Sequence, residues 1–163
     1  MSILRPIGET GTAPKTVVSD IVVSGGAVST VTTGAISLTS GKIYRFEGQV
    51  KAAVADVVRL LFNGLTTMAD YRSGAMLSTN VHSDSSLAYG ALVPIGESII
   101  FSGFIQQFNG KIFVSQKVIS MSATGRLLNS CHWHVSASTV TSVQLYSSSA
   151  TFDNTSRLKI WEA

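Results

Sequence analysis

Charge is scarce in this 163-residue chain. Asp, Glu, Lys and Arg make up 13% of it, about half the ~25% usual in a soluble domain. Cysteine is nearly absent: Cys131 stands alone, so no internal disulfide can form, which fits synthesis in a reducing cytoplasm. Proline occurs three times. No apolar run reaches the ~18 residues of a membrane-spanning helix, and the opening MSILRPIGETG lacks the apolar stretch of a secretory signal. No three Lys or Arg cluster, so the net charge of +3 is scattered and predicts neither a nucleic-acid nor a membrane partner.

What is present is apolar and hydroxyl-rich. Hydrophobic residues account for 45% of the chain, with 24 Ser and 15 Thr beside them, and mean hydropathy is +0.32. Few charges and many β-branched residues exclude disorder. A soluble monomer keeps more charge than this, so partner subunits are expected to cover part of the surface.

Residues 1–16 stand apart as an N-terminal arm. Pro6, Gly8, Gly11 and Pro14 prevent a helix or a central strand there. Ile3, Leu4 and Ile7 would be costly to leave in water. Two readings are open: a frayed terminus, or an extended arm that lies on another subunit and brings Arg5 to a carboxylate there.

From residue 17 to 163 the period is mostly two, which predicts one all-β domain. VVSDIVVSG places Val17, Ser19, Ile21 and Val23 on one face. In KIYRFEGQV, Tyr44, Phe46 and Val50 alternate with Arg45 and Glu47, the mark of a half-buried strand. Asn63-Gly64 and Asn109-Gly110 are both hairpin-turn dipeptides, the second between SIIFSGFIQQF and KIFVSQKVISMSA. NSCHWHVSAS, TVTSVQLYSSS and SRLKIWEA follow as three more strands. Short segments at near-regular spacing predict a sandwich or barrel. The stretch 49–62 fits either two strands turning near Ala55-Asp56 or one helix, and the Asn-Gly ending favours strands.

Reactive side chains gather once, at Cys131-His132-Trp133-His134. On a strand, Cys131 and His132 point to opposite faces and cannot act as a pair. His132 and His134 share a face, a spacing that can chelate zinc, but His82 is the only other histidine and is expected in a Ser-rich loop. The simpler expectation puts Cys131, Trp133 and Val135 in the core, with the histidines outward and no metal bound. The nine carboxylates form no catalytic motif, and phosphate loops and nucleophile elbows are missing. Neither an enzyme nor a cofactor is therefore expected. Tyr44, Phe46, Phe62, Phe101, Phe113 and Trp133 are expected in the core, leaving Trp161 as the aromatic expected at the surface, open to contact.

Leu60-Leu61-Phe62-Asn63-Gly64 followed by Tyr71-Arg72 resembles an apolar strand, Asn turn and Tyr element of small structural proteins from tailed phages. Val143–Tyr146 through Ser156–Trp161 is similar to their C-terminal strands. In those proteins a Gly-Phe turn and a Gly-Ser pair precede the closing strand. Here Ala150-Thr151-Phe152 and Thr155-Ser156 stand instead, so two turn glycines are replaced. The resemblance covers about residues 42–163. It implies an antiparallel, jelly-roll-like β-sandwich carried on a virion and made in the host cytoplasm, usually as a homotrimer. The function expected is capsid decoration or cementing through contact with the major capsid protein or another virion protein, with Ile3, Leu4, Arg5 and Ile7 as contact residues. A tail or fibre component that recognises glycans is the alternative.

Overall fold

The fold is that of a computed structural model, which describes residues 16–24, 26–51, 54, 56–67, 70–77, 80–84, 90–93, 98–120, 127–134, 139–149 and 151–163. Twelve strands follow one another: β1 (Val17–Val22), β2 (Thr30–Thr32), β3 (Ile43–Lys51), β4 (Asp56–Phe62), β5 (Tyr71–Leu77), β6 (Asn80–Asp84), β7 (Gly90–Val93), β8 (Ser98–Phe108), β9 (Lys111–Ser120), β10 (Leu127–His134), β11 (Val143–Tyr146) and β12 (Arg157–Glu162). They form two antiparallel sheets, ordered β1-β12-β3-β8-β9-β10-β5-β6 and β2-β11-β4-β7. The protein is an all-β sandwich, as the period of two predicts.

The pairing is nested. The chain runs outward through β3, β4 and β5 and returns through β6, β7 and β8, so β5 pairs β6, β4 pairs β7 and β3 pairs β8. The final three strands repeat this against β5, β4 and β3, and β1 and β2 pair β12 and β11. Stretch 49–62 is thus two strands, but they sit in different sheets rather than in one hairpin.

One core lies between the sheets. Tyr44, Phe46 and Val50 of β3 point into it with Phe101 and Ile105 of β8, against Leu60, Phe62 and Leu145 of the small sheet. Gly48 of the large sheet packs against Leu145 of the small one, and a Cβ there would lie 2.9 Å from Leu145 Cδ1. Any side chain at this position would make Leu145 shift.

The two Asn-Gly dipeptides do different jobs. Asn109 and Gly110, at φ 49° and 68°, make the two-residue turn between the paired strands β8 and β9. Asn63 and Gly64 adopt nearly the same angles, 54° and 69°, but β4 does not pair with the strand that follows. Leu65 N–H donates to the Phe62 carbonyl at 2.8 Å, and the chain leaves the small sheet for β5 in the large one. Asn63 also ties this turn to the segment before β11. Its Oδ1 accepts from Thr141 N at 2.7 Å and Ser142 N at 3.1 Å, and its Nδ2 donates to the Thr139 carbonyl at 2.7 Å.

Candidate functional site

The large sheet has an open outer face, and strand alternation decides what it carries. On β3, Ile43, Arg45, Glu47 and Gln49 are exposed while Tyr44, Phe46, Gly48 and Val50 are buried. On β9 the outward residues are Lys111, Phe113, Ser115, Lys117 and Ile119, and on β8 Phe104 and Phe108 are the exposed pair. Eight large hydrophobic residues are exposed among the described residues. All except Val54 belong to the outward rows of this one sheet. Phe108 is 61% exposed, Phe104 44% and Phe113 39%.

Register aligns these side chains across strands. Val17 lies opposite Trp161, Trp161 opposite Arg45, Arg45 opposite Phe104, Phe104 opposite Ser115, and Ser115 opposite Cys131. The Arg45 guanidinium sits 5.4 Å from the centre of the Phe104 ring, within cation–π range. Ser102 and Ser115 are short and leave a shallow depression of about 260 Å³ walled by Arg45, Glu47, Phe104 and Lys117. A second depression of about 450 Å³ lies on the other side of Glu47, against Gln49, Ile100, Arg157 and Lys159.

Charges at the β1 end of the face are neutralised internally. Arg157 grips Asp20 with two bonds, Nε to Oδ1 at 2.8 Å and the terminal nitrogen to Oδ2 at 2.6 Å. Lys159 stands 3.6 Å from the same carboxylate. The Arg157 hydrogen bonds outweigh desolvation and hold the Asp20 carboxyl below the usual carboxylate range.

Several expected placements change. The phase of β10 is reversed: Cys131 is exposed and His134 is 1% exposed. Register is the cause, since Cys131 faces the exposed Ser115 and His134 faces the buried Tyr71. His134 packs edge-on against the Tyr71 ring with centroids 4.7 Å apart, and burial pushes its imidazole pKa down, opposed by Asp70. His82 lies on β6, opposite Ala75, and not in a loop. No group of three or more His, Cys, Asp or Glu that could hold a metal occurs among the described residues. Phe113 stands on the outer face rather than in the core. Trp161, expected as an exposed aromatic, keeps 8% of its surface; it belongs to the outward row but is enclosed beside Val17, Glu47 and Lys159. Ile3, Leu4, Arg5 and Ile7 lie outside the described residues. Composition could not have found the open face, because only strand register shows that Phe104, Phe108 and Phe113 share it.

Comparison with protein families, curated proteins and solved structures finds no match to this chain.

Proposed function

We propose that this chain is a non-enzymatic structural protein of a tailed-phage virion, decorating or cementing the capsid, and that it docks through the outer face of the large sheet. The observation that carries the docking is the concentration of seven exposed large hydrophobic residues on that face. Exposed apolar residues gathered on one surface mark an interaction site. Burial contributes roughly 25 cal/mol per Å², so covering such a face gives ample driving force for association. The virion assignment rests on the resemblance of residues 42–163 to tailed-phage structural proteins, and the nested strand pairing supports its jelly-roll form. A homotrimer is the assembly proposed with it, on the low charge of the chain.

Quantitative mass spectrometry of separated heads and tails tests the placement. Copies on the order of hundreds per head are expected of a protein that follows capsid symmetry. A few copies confined to tails would overturn capsid decoration in favour of a tail or fibre role.

A further inference from the structure

The open face is selectively basic as well as apolar. Lys42, Lys51, Arg157 and Lys159 each have a carboxylate within ion-pair distance. Arg45, Lys111 and Lys117 have none among the described residues, and all three stand on the outer face of β3 and β9 around Phe104 and Phe113. Glu47 is the one carboxylate among them. Desolvating cations without a counter-charge is expensive, so whatever covers this face must bring acids. The same face of a second copy brings mostly more cations. A single nucleic-acid strand would stack its bases on the aromatic residues, but three cations fall short of the roughly 6–10 phosphate contacts of a strongly salt-dependent binder.

We propose that this face receives an acidic protein surface. An apolar side chain of the partner rests on Phe104 and Phe113, and carboxylates on either side meet Arg45 and Lys117. The backbone positions of those two residues lie two strands and two residues apart, roughly 12 Å on sheet spacings of ~4.8 and ~3.3 Å. The partner's acids therefore stand on separate residues. The inference rests on the docking function proposed above and adds the chemistry of the partner.

The test uses the full chain and three short labelled peptides in which Leu alternates with Asp, Ser or Lys, plus a short DNA duplex. The Asp peptide is expected to bind best and to weaken as salt rises. Arg45→Glu with Lys117→Glu should cost it about tenfold or more in affinity and should turn preference to the Lys peptide. Melting curves of the double variant check that its fold is kept. Absence of Asp-peptide binding, equal binding of all three peptides, DNA binding as tight as the Asp peptide, or no effect of the double substitution would each overturn the inference. Virion rebinding separates the two claims. If Phe104→Asp blocks docking while the double charge variant docks like wild type, the docking face stands and its acidic partner does not. If both variants dock like wild type, both claims fall.

Discussion

Tyr71 donates its hydroxyl to the carbonyl of Leu65, 2.9 Å away and six residues back in the chain. The same oxygen accepts the Phe62 N–H at 3.2 Å, so one side chain from the start of β5 fixes both ends of the turn that leaves β4. The ring is fully buried, and burial pushes its pKa up to about 12. This is the geometry by which Greek-key sandwiches lock a crossover between sheets.

Tyr71→Phe should therefore lower stability by about 1–3 kcal/mol, the cost of losing hydrogen bonds at a buried site. Its pH dependence should change as well. Below pH 10 the hydroxyl is protonated in folded and unfolded chains alike and its contribution is complete. Between about 10 and 12 the unfolded chain ionises first, and stability falls by roughly 2–3 kcal/mol at 1.36 kcal/mol per unit. Urea melts across this range should show the fall in wild type and a smaller one in the variant.

His134 acts at the opposite end of the scale. Its pKa is lowered by burial, so its contribution is complete above about 6.5 and is lost as pH falls through the folded value. Asp20 and Asp153 are also held below the ordinary carboxylate range, and their loss comes only at lower pH. Melting temperature should thus drop in two stages on acidification. His134→Gln should remove the first and leave the second.

Gly103 is required where β8 crosses the middle of the large sheet. A Cβ there would overlap the Ser115 carbonyl oxygen and lie 2.8 Å from Gln116 Cα and 3.0 Å from Phe46 Cε1. Gly103→Ala should destabilise by about 1–3 kcal/mol or more, the range for overpacking. Gly26→Ala, with nothing within 4 Å, is the control and should be nearly neutral.

Asn63→Ala should cost about 1–3 kcal/mol, since it removes the bonds to Thr139, Thr141 and Ser142 and leaves a Cβ residue at positive φ. Denaturant melts read it directly. Asn109→Ala, at the exposed hairpin tip, should cost less.

The sequence shows most strands but not which sheet or face they serve. Tyr44, Phe46 and Val50 announce β3 because aromatic and β-branched residues alternate there with charge. The segments of β5 and β7 are rich in Ser, Ala and Gly and β6 carries Asn and Asp, residues of weak strand preference, and their extended form comes from pairing with β10, β4 and β5. An alternating strand offers two faces, and only its neighbours decide which one is buried. That is why Cys131, His134 and Phe113 stand on the faces opposite to those expected. Trp161 illustrates the same limit: it lies on the outer side, as a surface aromatic should, yet its neighbours enclose it. The docking face is a property of residues from four strands, β1, β3, β8 and β9, brought together by register, and no single segment carries its signal.

The central claim is that the outer face of the large sheet docks this protein on a virion. Its most direct test is rebinding of purified Phe104→Asp/Phe113→Asp protein to particles lacking the wild-type chain, with circular dichroism confirming the folded state. Both side chains are solvent-exposed, so the fold should survive and occupancy should fall at least about tenfold. A folded double variant that rebinds to wild-type occupancy would contradict the account.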